Sequence, residues 1–283
     1  MSEEMITARQ ALKLASDILN TDSARLEARV ILSFVLSCEQ AYLAAHDDVI
    51  LTAGQKDKFF ELTLRRRRRE PIAYILNNKE FYGRNFYVDQ RVLIPRPETE
   101  HLIDRSLQMI SHIKAPKILD LCCGSGCIGV TLAAERPDLK VYFSDISESA
   151  LKVAEMNLRT LLNKDAVFIC SDLFENINIR DFDLIAANPP YISDDEMNLL
   201  DKDLSYEPDS ALRGGKNGTD FYRKIIKKAR AFLKPGAALV FEIGFSQASE
   251  ITELMENCGF SKIITDKDYS GNDRIISAVT KLA

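Results

Sequence analysis

The stretch ILDLCCGSGCIG, residues 118–129, joins a short apolar run to a glycine-rich turn and the start of a helical pattern. Glycines permit positive φ angles and let the backbone approach a ligand closely. Such a turn at the carboxyl end of a strand is typical of the ligand crevice of a doubly wound sheet. The stretch therefore predicts an α/β domain that binds a nucleotide-like ligand.

Two ligand classes fit this turn. The spacing G-x-G-x-x-G at residues 124–129 occurs in dinucleotide sites, although it is a weak signal on its own. Asp145, at the end of the next apolar run, can accept hydrogen bonds from the ribose of either ligand. Asp120 and Asp172 favour S-adenosylmethionine, because the first can face an ammonium group and the second an adenine amino group. Loop capping is the alternative for both acids.

From Lys117 onward the chain alternates apolar runs with helix-like stretches, which predicts a parallel sheet with crossover helices. The last two runs are joined by a short loop around Gly271-Asn272, and a short loop permits only an antiparallel pair. The predicted strands are Lys117–Leu121, Val141–Ser144, Val167–Cys170, Asp183–Ala187, Ala238–Ile243, Lys262–Thr265 and Arg274–Thr280.

The first 78 residues or so have apolar residues at helical spacing and few glycines, which predicts a small helical bundle. Asp22 or Ser23 is expected to cap the second helix, and Thr52 the third. The third helical pattern ends in five arginines, Arg65–Arg69. Such a run is either a solvated helix end or an electrostatic patch for RNA or an acidic protein surface.

Short extended runs follow the arginines. Phe81 and Phe86 flank Gly83, and a further apolar run occupies residues 92–94, so this part of the chain predicts a β-hairpin linker. Pro97 is suited to the first turn of a helix, because its nitrogen carries no hydrogen that would be left unpaired.

Composition narrows the class of protein. The chain has 283 residues, 46% hydrophobic, with a formal net charge of −5, which argues against a surface that grips nucleic acid throughout. No apolar run approaches the ~18 residues of a membrane span, and no signal peptide is evident, so a cytoplasmic protein with reduced cysteines is expected. Cys122, Cys123 and Cys127 cluster, but without the paired spacing of a metal site, so no metal is expected.

The segment Asn188-Pro189-Pro190-Tyr191 follows the fourth predicted strand. The nitrogen of an amide or an exocyclic amine is a poor nucleophile, because its lone pair is delocalised. The Asn188 side-chain carbonyl and the Pro189 backbone carbonyl can accept its two N–H groups, while the prolines stiffen the loop and Tyr191 offers a flat face. The segment predicts methylation of a planar nitrogen; an ordinary Pro-Pro turn is the alternative.

From about residue 65 to its end, the chain resembles the HemK/PrmC-type N5-glutamine methyltransferases, which modify peptide chain release factors. Asn188–Tyr191 and the turn at residues 118–129 are part of this resemblance. The other segments that carry it are Glu70–Tyr74 with Glu80-Phe81, Leu93–Glu100, Glu207-Pro208, Ala211-Leu212, Gly214-Gly215, Gly218, Glu242–Gly244 with Gln247, and Gly271 with Asp273-Arg274.

The resemblance implies a seven-stranded class I S-adenosylmethionine-dependent methyltransferase domain (Rossmann-like) at residues 97–283, after a helical release-factor-binding domain at 1–78 and a β-hairpin linker at 79–96. It implies methyl transfer to N5 of the glutamine in the Gly-Gly-Gln motif of class I release factors. Asn188, Pro189, Pro190 and Tyr191 would bind that glutamine, with Asn188 and Pro189 as catalytic residues. The expected cofactor contacts are Cys122, Cys123, Gly124, Ser125, Gly126, Asp145, Leu173 and Asn188, joined by Asp172 from its position after the third strand.

Two residues depart from the family pattern. Glycine is usual at the position of Cys122, and an aromatic residue that would stack on adenine is common at Leu173. Cysteine must adopt whatever φ the turn requires, and leucine loses the π contact. We therefore expect a modest loss of cofactor affinity and no loss of activity.

Two other functions remain open from the sequence. An amino-methyltransferase acting on DNA adenine or RNA guanine can share Asn-Pro-Pro-Tyr, but it generally needs a base-recognition domain and an extended basic surface. A binding module that uses Arg65–Arg69, with a vestigial cofactor site, is the non-enzymatic alternative. If the protein is a release-factor glutamine methyltransferase, we expect a monomer without membrane attachment or stable nucleic-acid binding.

Overall fold

The computed structural model describes residues 5–19 and 21–281. It divides into a helical unit, Met1–Asn77 with Asp201–Tyr206, and a sheet unit, Asn78–Leu200 with Glu207–Ala283. Asp201–Tyr206 thus belongs with residues more than a hundred positions earlier in the chain. Within the described residues, no helix has the length and apolar character needed to cross a membrane.

The helical unit is a bundle, as predicted. The buried face of its first helix carries Ala8, Ala11, Ala15 and Leu19, whose spacing of three or four residues places them on one side of the helix. Small alanines on that side allow a neighbouring helix to approach closely. Its helices are α1 (Ala8–Leu19), α2 (Ala24–Leu36), α3 (Gln40–Ala45), α4 (Ala53–Arg67) and α5 (Ile72–Leu76), with a 3₁₀ turn at Leu204–Tyr206.

The predicted caps have different outcomes. Thr52 caps α4 in a capping box with Gln55, which confirms that prediction. Ser23 occupies the N-cap position of α2 but makes no side-chain cap bond. Its hydroxyl instead donates to Glu27 at 3.0 Å, so capping by the Ser23 side chain is wrong in detail.

Arg66 corrects the prediction for the arginine run. Its side chain is 8% exposed and lies between two carboxylates, with Nη2 at 2.8 Å from Glu27 and Nη1 at 2.7 Å from Asp203. Burial alone would raise the pKa of Glu27, but the hydrogen bonds and charge of Arg66 outweigh it and lower that pKa. Removal of one partner of such a buried pair typically costs about 3–5 kcal/mol, so Arg66 is a structural residue.

Of the four other arginines in the run, two form ion pairs and two are exposed without one among the described residues. Arg65 pairs with Glu70, and Arg69 pairs with Asp203 at 2.6 Å. Arg67-Arg68 is exposed and forms no ion pair within the described residues. A single charged surface made of all five arginines is therefore wrong, because three of them neutralise acids of their own unit.

The sheet unit contains a seven-stranded sheet in the order β5-β4-β3-β6-β7-β9-β8, which confirms the predicted fold class. The first five strands are parallel, and β9 is antiparallel to both β7 and β8, as the short loop before it requires. The strands are β3 (Lys117–Leu121), β4 (Lys140–Asp145), β5 (Val167–Cys170), β6 (Phe182–Ala187), β7 (Leu233–Glu242), β8 (Phe260–Lys267) and β9 (Asp273–Thr280).

Each central strand sends alternate side chains to opposite faces of the sheet. In β6, Ile185 packs into the core cluster on one face and Leu184 into the cluster on the other. Every residue of β6 is buried, as expected for a parallel strand covered on both sides. The helices are α6 (Glu100–Met109), α7 (Cys127–Glu135), α8 (Glu148–Leu162), α9 (Asp194–Met197), α10 (Asp209–Leu212), α11 (Asp220–Ala229) and α12 (Ala248–Asn257).

The sheet unit begins with the predicted hairpin, β1 (Lys79–Phe81) and β2 (Arg84–Phe86), which pair antiparallel around Gly83. The apolar run at residues 92–94 follows the hairpin without forming a strand of its own. A 3₁₀ turn at Pro97–Thr99 leads directly into α6, as expected from the proline.

Candidate active site

A cavity of about 240 Å³ opens at the carboxyl ends of the parallel strands. The chain runs outward from β3 to β5 and then returns to the other side of β3 with β6. The loops after β3 and β6 therefore diverge at this point of the sheet edge, where doubly wound sheets bind ligands. The predicted site residues that line the cavity are Cys122, Cys123, Gly124, Ser125, Asp145, Asp172, Leu173, Asn188 and Pro190.

Three predicted site residues lie next to this cavity but outside its lining. Gly126 has φ +76° and immediately precedes α7, where a Cβ would stand 2.9 Å from the Cβ of Ala154. Pro189 is buried, and Tyr191 is half-buried behind the lining residues. These three residues shape the loops that present the lining.

The loop after β3, residues 122–126, is held in left-handed conformations. Cys122 has φ +60° and Gly124 has φ +52°. A Cβ on Gly124 would meet nothing within 4 Å, so this position borders open space. Glycine adopts such a φ without strain. For an L residue such as Cys122 the same φ costs roughly 1–2 kcal/mol.

Asp120 fixes the start of α7 rather than the cavity wall. It is fully buried and does not line the cavity, and its Oδ2 accepts a hydrogen bond from the Gly129 amide at 2.8 Å. Its Oδ1 has no hydrogen-bond partner among the described residues. Burial raises its pKa to about 8; the Gly129 hydrogen bond opposes this shift and the Asp145 charge adds to it. A Cβ on Gly129 would stand 2.4 Å from the Phe143 ring, so this contact demands glycine.

Asp145 connects the end of β4 to the same loop. One oxygen accepts from the Gly124 amide and the other from the Ser147 amide, both at 2.9 Å. Burial raises the pKa of Asp145, and these backbone hydrogen bonds oppose that shift. Beyond β5, Asp172 is exposed, while Leu173 is 7% exposed with φ +49°.

Asn188 is oriented by residues that the sequence reasoning did not single out. Its Nδ2 donates to Thr99 Oγ1 at 3.4 Å, and Thr99 in turn donates to Glu242 Oε2 at 2.5 Å. Tyr191 donates its hydroxyl to Glu242 Oε1 at 3.3 Å. Burial and the charge of Glu242 raise the pKa of Tyr191.

The loop after β6 is also held through its backbone. Gln247 Nε2 donates to the Tyr191 carbonyl at 3.0 Å and to the Gly218 carbonyl at 3.1 Å. A Cβ on Gly218 would lie 2.3 Å from the Tyr191 oxygen, and a Cβ on Gly214 would lie 2.7 Å from the Tyr191 Cα. The chain at residues 214–218 therefore packs directly against the loop.

Another buried carboxylate, Glu207, holds the segment that contains the lining residue Arg96. Glu207 is 6% exposed, and its two oxygens accept from the Ile94 amide at 3.0 Å and from Arg96 at 2.5 Å. Thr99, Glu207 and Glu242 lie in segments that carry the family resemblance, which was the signal available for them. No local pattern in the sequence shows which of these side chains meet.

The clustered thiols lie in surroundings that disfavour the thiolate. Burial raises the pKa of Cys122 and of Cys123 well above the ordinary value and that of Cys127 to about 12. Among residues 5–19 and 21–281, no group of three or more histidine, cysteine, aspartate or glutamate side chains is placed to hold a metal ion.

Comparisons with known proteins define the class. The Methyltransferase small domain family matches residues 100–204, and the PrmC N-terminal domain family matches residues 8–76. A solved methyltransferase from Pyrococcus furiosus has the same fold, with a TM-score of 0.54 at 18% identity over 78% of this chain and 100% of that chain. The fold is that of a class I S-adenosylmethionine-dependent methyltransferase, and the methyltransferase family match confirms the predicted cofactor.

Curated relatives define the family. The chain is 36% identical to the release factor glutamine methyltransferase of Clostridium acetobutylicum, over 99% of this chain and 98% of that protein. It is 39% identical to the protein of the same name from Koribacter versatilis, over 92% of this chain and 95% of that protein. The chain belongs to the release factor glutamine methyltransferase family, as the motifs predicted.

Proposed function

We propose that this protein transfers the methyl group of S-adenosylmethionine to N5 of the glutamine in the Gly-Gly-Gln motif of class I peptide chain release factors. Family membership gives the substrate class. The arrangement of Asn188 gives the chemistry: its Nδ2 is engaged by Thr99, and its Oδ1 accepts no hydrogen bond from the described residues. The side-chain oxygen is therefore available to a donor in the cavity.

Asn188 and Pro189 are the proposed catalytic residues. The Pro189 carbonyl likewise accepts no backbone hydrogen bond from the described residues. Two acceptors suit the two N–H groups of a primary amide, and their fixed positions would hold its nitrogen with the lone pair directed at the incoming methyl. No strong general base is needed, because the methylated cation is acidic enough to lose a proton afterwards. Pro190 and Tyr191 complete the proposed glutamine site.

The residues around the loop after β3 fit S-adenosylmethionine, which supplies an electrophilic methyl group when bound. Gly124 borders open space, so the backbone can come close to a ligand there. The Asp145 carboxylate, already fixed by two amides, is the proposed acceptor for ribose hydroxyls. The Asp172 side chain has no hydrogen-bond partner among the described residues and is proposed to accept from the adenine amino group, with Leu173 against the ring.

A glutamine side chain alone offers little binding area, so a further surface must recognise the release factor. We propose that the helical domain at residues 1–78 supplies it, with 79–96 as the linker and 97–283 as the methyltransferase domain. Arg67-Arg68 is the part of the arginine run that remains free for an acidic partner surface. The protein is proposed to act as a cytoplasmic monomer, without stable nucleic-acid binding.

Mass spectrometry tests the proposed function directly. A purified class I release factor is incubated with the protein and S-adenosylmethionine, and the Gly-Gly-Gln peptide is analysed for one added methyl group on its glutamine. Duplex DNA and ribosomal RNA, incubated in parallel, test the nucleic-acid alternative. Methyl transfer to either nucleic acid with an unmodified release factor would refute the proposal.

A further inference from the structure

Behind Asn188, hydrogen bonds run into the interior of the sheet unit. The parallel strands β6 and β7 place Ala187 opposite Phe241, so the next residues, Asn188 and Glu242, emerge side by side at the same sheet edge. Thr99, the last residue of the 3₁₀ turn that leads into α6, lies between their side chains. Thr99 is 2% exposed and Glu242 is 1% exposed, so water does not replace these contacts. We call Asn188, Thr99 and Glu242 the relay.

The relay has a defined direction. The Glu242 carboxylate accepts from the hydroxyls of Thr99 and Tyr191, and a threonine hydroxyl has a single proton to donate. Burial raises the pKa of Glu242, and these hydrogen bonds and the charge of Arg274 oppose that shift. Because Thr99 gives its proton to Glu242 at 2.5 Å, the threonine oxygen can only accept from its other side. Asn188 must therefore turn its NH₂ group toward Thr99, at 3.4 Å, and its carbonyl oxygen is the atom left for the cavity.

Glu242 is held as an acceptor by more than one neighbour. Tyr191 donates to its second oxygen at 3.3 Å, so each carboxylate oxygen receives a hydroxyl proton. Tyr222 donates to the backbone carbonyl of the same residue at 2.8 Å and fixes its position in β7. A glutamate in this setting sets the direction of the hydroxyls around it.

We propose that Thr99 and Glu242 are positioning residues that make the site select a carboxamide over a carboxylate. This inference rests on the proposed function and adds to it the basis of substrate selection. A glutamine amide brings two N–H donors to the Asn188 and Pro189 oxygens. A glutamate carboxylate brings acceptors alone, so its oxygens would face the Asn188 and Pro189 carbonyl oxygens with no proton between them. Sites built to pair with a ligand's N–H group strongly reject an analogue that lacks it.

The test uses two variants at Thr99. Thr99→Val removes the hydroxyl and keeps the shape of the side chain, whereas Thr99→Ser keeps the hydroxyl and is the matched control. Isothermal titration measures binding of a class I release factor with its Gly-Gly-Gln glutamine, and of its Gln→Glu variant, with S-adenosylhomocysteine present so that no transfer occurs. The wild-type protein and T99S should prefer the glutamine form by at least about tenfold, and in T99V the preference should fall to about threefold or less.

A second variant covers the case in which T99V folds poorly. Glu242→Gln keeps the shape but offers an N–H donor as well as an acceptor, so it no longer enforces the direction of the relay. E242Q should fall between wild type and T99V in its preference for the amide. Unchanged preference in both T99V and E242Q would overturn the proposal. So would an equal loss of S-adenosylhomocysteine affinity and amide preference, since that would indicate a merely structural role.

The wild-type protein distinguishes a failure of the relay from a failure of the proposed function. A protein that methylates the release-factor glutamine but binds the glutamine and glutamate forms equally well refutes the relay and leaves the proposed function standing. A protein that methylates no release-factor glutamine refutes the proposed function and the relay with it.

Discussion

The loop after β3 and the loop after β6 border the same cavity, but they are held in different ways. The loop after β3, residues 122–126, is fixed by its own backbone conformation and by the Gly124 amide, which donates to Asp145. The loop after β6, residues 188–191, is fixed by side chains from distant parts of the sequence. One loop depends on left-handed backbone angles and the other on hydrogen bonds from outside.

This difference follows from what each loop has to present. The loop after β3 brings backbone close to a ligand, so its requirement is small residues and positive φ. The loop after β6 presents two oxygen acceptors at set positions. It therefore requires that the Asn188 side chain and the Pro189 peptide group are held in one orientation. We therefore expect substitutions near residue 188 to act on turnover and substitutions near residue 122 to act on stability and cofactor affinity.

Replacement of Asn188 should give the largest effect. Asn188→Ala removes the proposed acceptor and should lower kcat by about a hundredfold or more, because the amide nitrogen is no longer held in position. The melting temperature should change little, since Asn188 makes one long hydrogen bond to protein, at 3.4 Å. Kinetics with a purified release factor and a thermal melt measure the two effects.

The matched control for this change is Asn178→Ala, at an exposed asparagine away from the cavity. It should leave kcat within about twofold of wild type, as surface substitutions generally do. If Asn188→Ala retains full turnover, the enzymatic assignment of this loop is wrong and a vestigial site becomes the better reading.

Gly218 tests whether the loop after β6 is held from outside. Gly218→Ala would put a Cβ 2.3 Å from the Tyr191 carbonyl oxygen at a residue with φ +72°. Displacement of Tyr191 should lower kcat by about tenfold, while cofactor affinity stays within about twofold, because the loop after β3 is held independently.

Gly83→Ala separates this contact from backbone strain. Gly83 has φ +70° and nothing within 4 Å of its Cβ position, so it carries the same left-handed cost without the collision. G83A should lose about 1 kcal/mol of unfolding free energy and G218A more than that because of the collision, and kcat should fall in G218A alone. An equal fall in kcat for the two variants would mean that packing against Tyr191 has no part in turnover.

Cys122 tests the strain in the loop after β3. Cys122→Gly should raise the unfolding free energy by about 0.5–1 kcal/mol, since glycine adopts φ +60° freely, less the lost packing of the thiol. Cys123→Gly is the control: it removes a buried thiol, 4% exposed, at an ordinary φ and should lower stability by about 1 kcal/mol. Urea unfolding measures the unfolding free energy of both variants. A similar loss of unfolding free energy in the two would show that Cys122 is unstrained.

The two loops also differ in how far the sequence predicts them. The turn at residues 118–129 and the segment Asn188–Tyr191 are contiguous, so strand, loop type and chemistry could all be inferred from local pattern. Thr99 lies 89 residues from Asn188, and its meeting with that residue depends on the packing of the segment before α6 against the edge of β6 and β7. Neither that packing nor the register of β6 and β7 is readable from local periodicity.

The arginine run shows the same limit. The sequence shows the five charges but not the acids that pair with them. Asp203, for example, comes from a segment 137 residues further along the chain than Arg66. A run of like charges therefore predicts a patch only when the acids that the fold brings to it are known. Here the fold buries Arg66 and leaves Arg67-Arg68 exposed.

Replacement of Leu173 should give the smallest effect, and it tests the contact between this side chain and the adenine ring of the cofactor. Leu173→Phe should tighten S-adenosylmethionine binding by about threefold, because a ring can stack on the adenine where leucine offers only an apolar contact. Leu173→Met, which has a similar volume and no ring, should stay within about twofold of wild type. Titration calorimetry compares the two. Equal gains would assign the effect to side-chain flexibility at this buried position with φ +49°, and a loss in L173F would show that the wall against the core cannot admit a ring.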